Sequence, residues 1–187
     1  MTFFEASPTL MSHHDDSTAE RGPQEIADLP KEKVARFDAA LPELLKRYPA
    51  DHKEAAMLAA LRRAQEIFGW LSPGAQKLVA TRLGTATTRA EEVATFYVMY
   101  HTRPVGRHVV EVCTNVSCSL AGGYDLFEHL KKTLDVDNGG TTSDGRVTLR
   151  QVECLGSCGT APAMLVDEEM HESLTPQSVD RILGGLK

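Results

Sequence analysis

The sequence predicts an α/β fold, a small sheet with helices packed on it, preceded by a helical bundle. Three observations carry that reading. Up to about residue 100, apolar residues recur at spacings of three and four, the period of helices that bury one face. After Arg103-Pro-Val-Gly106 the character changes to short β-branched runs separated by turn residues and one strong helical stretch. The four cysteines of the 187-residue chain form two tight pairs, Cys113/Cys118 and Cys154/Cys158, and each pair begins where one of those runs ends.

Composition narrows the function classes. The net charge of −6 argues against a nucleic-acid surface, which would need a clustered basic face. No apolar run approaches the ~20 residues of a membrane-spanning helix. Met1 to Ala19 lacks the basic start and apolar core of a secretory signal, and Asp15, Asp16 and Glu20 make it unlike a transit peptide. The expected compartment is therefore the reducing cytoplasm, where paired cysteines serve as metal ligands or redox groups more often than as disulfides.

Residues 1–29 are polar and aperiodic and read as a disordered acidic tail. His13-His14 beside Asp15-Asp16 reads as part of that solvated tail. The bundle spans 30–103. Pro30 opens a helix carrying Val34, Phe37, Leu41, Leu44 and Leu45 on one face, and Pro42 predicts a kink or a break in it. His52 to Phe68 is the strongest helical stretch, with Met57, Leu58, Leu61, Ala64, Ile67 and Phe68 as its apolar stripe and Gly69 as its stop. Ser72-Pro73 predicts an N-cap and first helical residue, with Leu78, Val79 and Leu83 buried and Gly84 at the end. Thr88-Arg-Ala-Glu91 has capping-box spacing and precedes Val93, Phe96 and Tyr97. Trp70, Phe96, Tyr97 and Tyr100 read as core residues, with a partner-binding surface as the alternative.

Residues 104–187 form the second unit. His108 to Val112 is a strand running into Cys113, and Tyr124 to Leu134 is a helix with Leu126, Phe127, Leu130 and Leu134 on one face. Val147 to Val152 is a second strand, leading to Cys154, and Ala163 to Val166 a third. Asp167-Glu-Glu169 reads as a hairpin turn before a short fourth strand near Met170. Thr175-Pro176 caps a last helix carrying Val179, Ile182 and Leu183. If the first two strands are parallel neighbours, both cysteine loops leave the same sheet edge, where open α/β sheets place ligands.

Four thiolates in two close pairs suit a [2Fe–2S] cluster, which takes two ligands at each iron. Ser117, Ser119, Gly156, Ser157 and Gly159 are small enough to let backbone N–H groups approach the sulfurs. A four-cysteine zinc site is the main alternative, although zinc pairs favour shorter gaps and smaller scaffolds. A thiol–disulfide oxidoreductase would need a C-x-x-C motif, which is absent, and structural disulfides would need an oxidising compartment.

The pattern Cys113-x₄-Cys118, 35 intervening residues, then Cys154-Leu-Gly-x-Cys158-x-x-Ala-Pro162 resembles the thioredoxin-like [2Fe–2S] small subunits of NADH:quinone oxidoreductase (respiratory complex I). Corresponding subunits of NAD-linked hydrogenases and formate dehydrogenases are related. Ala64-Gln-Glu-x-Phe-Gly-Trp-Leu-Ser-Pro73, Val93-Ala-Thr-Phe-Tyr97, Pro104-Val-Gly106, Asp144-Gly-Arg146 and Leu174-Thr-Pro176 are also similar to that family, so the resemblance covers about 34–187. It implies a thioredoxin-like fold, one [2Fe–2S] cluster on Cys113, Cys118, Cys154 and Cys158, and electron exchange with the FMN of a partner subunit that oxidises NADH. It further implies other iron–sulfur subunits alongside, and a peripheral place on the cytoplasmic side of the membrane. Flavin and nucleotide sites would belong to the partner; this chain has neither G-x-G-x-x-G nor a P-loop. The tail before residue 30 departs from the pattern and has no family role. A host of the hydrogenase or formate dehydrogenase kind stays open, as does a zinc-stabilised interaction module.

Glu111 and Glu153 flank the cysteine runs and read as edge charges. His101 and His108 lie near Cys113, but four cysteines leave no need for a histidine ligand. Gly156 and Gly159 read as cluster-loop glycines and Pro162 as the residue that shapes the exit to the third strand. No general acid–base pair and no activated nucleophile is present, so no independent bond-making site is expected.

Overall fold

The computed structural model describes residues 22–187. The tail residues 1–21, with His13 and His14, lie outside them. The part of the expected tail that is described, 22–29, is packed instead. Leu29 is buried, Gly74 N–H donates to the Pro23 carbonyl at 2.8 Å, and Glu25 pairs with Lys77. Polar composition concealed this because the anchors, a single buried leucine, one backbone bond and one ion pair, are contacts with residues far along the chain.

Four helices follow: α1 (Lys31–Leu45), α2 (Met57–Phe68), α3 (Pro73–Leu83) and α4 (Thr87–Phe96). They enclose one core around Phe37, Leu61, Leu71, Leu78 and Val79. Of the kink or break expected at Pro42, the break does not occur. α1 runs through it, forgoing one backbone hydrogen bond while Phe37 and Leu41 stay buried. The strong stretch from residue 52 starts as a 3-10 turn, Lys53–Ala56, before α2, and Leu58 of its stripe is exposed. Gly69 and Gly84 end α2 and α3 with left-handed backbones, and Ser72 Oγ accepts from Ala75 N–H at 3.2 Å. The capping box at Thr88 does not form: α4 begins at Thr87 behind Ala86, so Thr88 already lies inside the first turn. α4 buries only Ala90 and Ala94. Phe96 (78% exposed) and Tyr97 are therefore not core residues as expected, whereas Tyr100 is buried, its hydroxyl donating to the Leu58 carbonyl at 2.7 Å.

The sheet contains β1 (His108–Cys113), β2 (Val147–Val152), β3 (Met164–Val166) and β4 (Glu169–His171) in the order β2-β1-β3-β4. β1 and β2 are parallel, with Cys113 opposite Val152, and β3 and β4 are antiparallel additions. Between β1 and β2 the chain forms α5 (Val116–Leu120) and α6 (Gly123–Leu134); α7 (Pro176–Gly185) closes the fold. α5 has too few residues to display a period, and the sequence did not reveal it. Val110, Val112, Leu149 and Met164 share a core with Leu126, Phe127 and Leu130 of α6 and Val179 and Leu183 of α7. Thr175 caps α7 through a capping box with Ser178.

The segment 97–107 ties the helical part to the sheet. His101 accepts from Leu71 N–H through its carbonyl at 2.8 Å and donates its own N–H to Gln65 Oε1 at 2.7 Å. Arg150 on β2 binds Glu111 at 3.1 Å and the Val98 carbonyl at 3.2 Å. The expected edge charge at Glu111 is thus a largely buried ion pair; burial raises its carboxyl pKa and Arg150 opposes that.

Candidate iron–sulfur centre

β1 delivers Cys113 directly from the sheet. Its N–H donates to the Ala163 carbonyl at 3.1 Å, and the next residue, Thr114, donates to the Val152 carbonyl at 3.1 Å. The first cysteine is therefore fixed by strands on both sides. Asn115 turns the chain: its Oδ1 accepts from Val116 N–H at 2.7 Å and starts α5. One turn of helix brings Cys118 back beside Cys113, and both are buried with Ala163, with Leu155 and Ala161 packed against them. Burial pushes the Cys118 thiol pKa up; the Cys113 side chain adds to that, and the backbone of Ala163 works against it. Gly123 opens α6 directly above this pair. A Cβ there would lie 2.8 Å from the carbonyl oxygens of both Cys113 and Cys118.

The second pair emerges from the end of β2 at the same sheet edge, as parallel pairing of β1 and β2 requires. Cys154 and Cys158 are exposed, and all four cysteines are free thiols. Gly156 adopts φ +77°, a left-handed backbone suited to glycine, which aims its N–H at Cys154 Sγ at 3.3 Å. The Cys113 thiol reaches the Glu153 carbonyl at 3.7 Å. Cys158 begins a 3-10 turn, Cys158–Thr160, that packs against α5. The Ala161–Pro162 peptide is cis. Gly159 has no protein atom within 4 Å of its would-be Cβ, so it makes no close backbone approach within the chain.

The donor set fits the cluster that the cysteine pattern implies. Four thiols stand at one end of one sheet, among small residues, with one backbone N–H already directed at a sulfur. Among the described residues, no three His, Cys, Asp or Glu side chains converge on a single point. His101 and His108 are not at this site. His108 Nδ1 lies 2.8 Å from Asp167, and His101 Nδ1 lies 3.2 Å from Arg150 Nη1. Since a guanidinium only donates, that nitrogen of His101 must be an acceptor and the ring neutral. Burial lowers its pKa to about 4, and the Arg150 charge adds to the effect. A cavity of about 870 Å³ lies along the junction of helices and sheet, lined by Trp70, His101, Glu111 and Leu165 among others, with no cysteine in its wall.

Two contributors escaped sequence reasoning. Gly123 was visible only as half of a Gly-Gly doublet. Glu172, whose carboxylate accepts from the hydroxyls of Ser157 and Thr160, is separated from them by two strands and the turn between them, and no spacing rule links the three.

Comparison with known proteins agrees with this architecture. The family model described as thioredoxin-like [2Fe–2S] ferredoxin matches residues 41–187. The chain is 38% identical over 148 residues to NADH-quinone oxidoreductase subunit 2 of Thermus thermophilus, covering 79% of this chain and 82% of that one. Against an NADH-quinone oxidoreductase subunit of Mycobacterium bovis it is 36% identical over 158 residues, covering 84% of this chain and 62% of that longer protein. Among solved structures, an NAD+-reducing [NiFe]-hydrogenase superposes with a TM-score of 0.62 at 25% identity, over 69% of this chain and 22% of the hydrogenase chain.

Proposed function

The chain belongs to the thioredoxin-like [2Fe–2S] ferredoxin family, and on that premise we propose that it holds one [2Fe–2S] cluster on Cys113, Cys118, Cys154 and Cys158 and works as a one-electron carrier. The observation that carries the proposal is the parallel pairing of β1 and β2, with Cys113 opposite Val152, which brings both cysteine loops out at one sheet edge. When bound, the cluster supplies a centre that takes up and releases single electrons. The chain supplies four thiolates, the Gly156 N–H and an apolar wall of buried Ala163 and half-buried Leu155 and Ala161.

The electron partner in this proposal is a flavin-bearing subunit that oxidises NADH, within an NADH:quinone oxidoreductase. The curated relatives are subunits of that enzyme. Their identities of 36–38% exceed the 25% to the hydrogenase chain, which favours the quinone-linked host. The surface beside the cysteines is consistent with a docked subunit. Thr114 to Tyr124 and Cys154 to Val166 contain no charged side chain. Val116 (70%) and Leu120 (86%) are widely exposed, as is Tyr124. Uncharged, apolar surface is what the centre of a stable interface requires. No helix among the described residues is long and apolar enough to cross a membrane, so in this reading the chain reaches the membrane enzyme through its partners, on the cytoplasmic side.

Anaerobic iron, zinc and acid-labile sulfide analysis tests the centre, with absorption and EPR before and after dithionite. The expected result is about two irons and two sulfides per chain and a rhombic signal on reduction. One zinc, no sulfide and no colour would overturn the redox reading in favour of a zinc-stabilised module.

A further inference from the structure

The two halves of the site are held by different means. Cys113 and Cys118 are buried on a strand and a helix, whereas Cys154 and Cys158 lie on an exposed loop. Segment 172–174, which leaves β4, fastens that loop. Ser173 N–H donates to the Thr160 carbonyl at 2.7 Å, and Leu174 N–H donates to the Pro162 carbonyl at 3.1 Å. Ser173 adopts φ +49°, a left-handed backbone uncommon for a residue with a side chain, and the next residue, Leu174, is buried. Beside these backbone bonds, the Glu172 carboxylate accepts from Ser157 Oγ and, at 2.6 Å, from Thr160 Oγ1. Ser157 and Thr160 bracket Cys158, and their hydroxyl oxygens are 2.8 Å apart. Two hydroxyls bring two protons, and both are used when they point at an ionised carboxylate.

We infer that Glu172 is a positioning residue for the iron–sulfur centre: it anchors the loop that presents Cys158, and its negative charge disfavours the reduced cluster. The inference rests on the cluster proposed above. Its physical basis is twofold. The Ser157 and Thr160 side chains are tied to one oxygen, so the turn between them cannot open without breaking a charge-assisted pair of bonds. A fixed anion beside Cys158 raises the energy of a centre that gains negative charge on reduction, and from Cys154 to Val166 the loop has no charged side chain to offset it, Glu153 before it being a second anion.

The test uses the full chain carrying its cluster, as wild type, Glu172→Gln, Glu172→Ala and the control Glu168→Gln. Glu168 sits at the β3–β4 turn and pairs with Arg62, away from the cysteine loop. Glu172→Gln keeps an acceptor and removes the charge. Mediated redox titration should show it easier to reduce, with a several-fold higher reduced-to-oxidised ratio at the wild-type midpoint; tenfold corresponds to about 59 mV for one electron. Glu172→Ala loses the anchor as well, and iron release to a chelator should be several-fold faster than in Glu172→Gln. Glu168→Gln should match wild type in both. Circular dichroism shows whether Glu172→Ala is folded; if it is not, Glu172→Gln decides alone through its midpoint. Midpoint and release rates equal to wild type in folded Glu172 variants would overturn the inference. A wild-type chain that assembles no iron and sulfide would instead overturn the cluster reading itself.

Discussion

Gly123→Ala should destabilise the chain and loosen the cluster, although alanine favours helices more than glycine by about 1 kcal/mol. The new methyl group would sit 2.8 Å from the carbonyl oxygens of Cys113 and Cys118 and 3.0 Å from the Cys118 carbonyl carbon. Relief requires both carbonyls, or the start of α6, to move by roughly half an ångström, and overpacking of this kind costs about 1–3 kcal/mol. Helix propensity recovers part of that, so the expected net loss is about 1–2 kcal/mol, or a fall in Tm of about 2–8 °C for a chain of this size. The displaced atoms belong to the two buried cysteines of the proposed ligand set, so the loaded protein should also surrender iron to a chelator faster than wild type. Gly184→Ala in α7 is the counterpart, since no atom lies within 4 Å of its Cβ position; it should be neutral or stabilising by up to about 1 kcal/mol. Thermal unfolding followed by circular dichroism decides. A Gly123→Ala protein that melts at or above the wild-type temperature, with unchanged iron retention, would refute the claim that α6 is pressed onto the first cysteine pair.

Cys118→Ala should abolish the cluster while the core around Phe37, Leu61 and Leu78 keeps the helical part folded; normal iron content and EPR in that variant would remove Cys118 from the ligand set. In the cluster-free chain, iodoacetamide should label exposed Cys154 and Cys158 before buried Cys113 and Cys118, as resolved by peptide mass spectrometry. Equal labelling rates would contradict the asymmetry of the site. His101 supplies a pH dependence. Its folded pKa is lowered to about 4 from 6.5, so between those values the unfolded chain binds the proton that the folded chain does not. Stability from this group is complete above pH 6.5 and is lost as pH falls towards 4, and His101→Gln should flatten the slope of unfolding free energy in that window. An imidazole NMR titration placing the His101 midpoint near 6.5 would sink that explanation.

What the sequence disclosed was what local chemistry controls. Ser72 and Thr175 cap their helices through side-chain oxygens, and Gly69 and Gly84 stop theirs with left-handed backbones, each within a few residues. The β-branched runs became β1 and β2, and their parallel pairing meets the condition under which both cysteine loops leave one sheet edge. The signature around the cysteines pointed to the family that the comparison then recovered. The failures have a common cause in contacts from elsewhere in the chain. Pro42 does not break α1 because burial of Phe37 and Leu41 holds the helix around it. The Thr88 box fails because helix start is a matter of backbone angle at Ala86, which spacing does not report. Phe96 and Tyr97 look like core residues in one dimension, yet α4 is packed through Ala90 and Ala94: Phe96 falls on another face, and Tyr97 lies past the end of the helix with an extended backbone.

The division of labour between the two cysteine pairs follows from topology. A parallel pair of strands needs a long crossover, and here the crossover contains α5 and α6, enough chain to wrap and bury the first pair. The second pair has no such cover: β2 ends, and only residues 153–163 lie between it and the start of β3. A loop of that span must hold two cysteines, a left-handed glycine and a 3-10 turn with little core of its own. Its stiffness therefore comes from polar contacts, the backbone bonds from Ser173 and Leu174 and the hydroxyl–carboxylate contacts at Glu172. Such contacts respond to charge and solvent in a way that buried apolar packing does not. Substitutions at the polar contacts that hold the exposed loop should accordingly tune the proposed centre, whereas replacing any of the four cysteines should remove it.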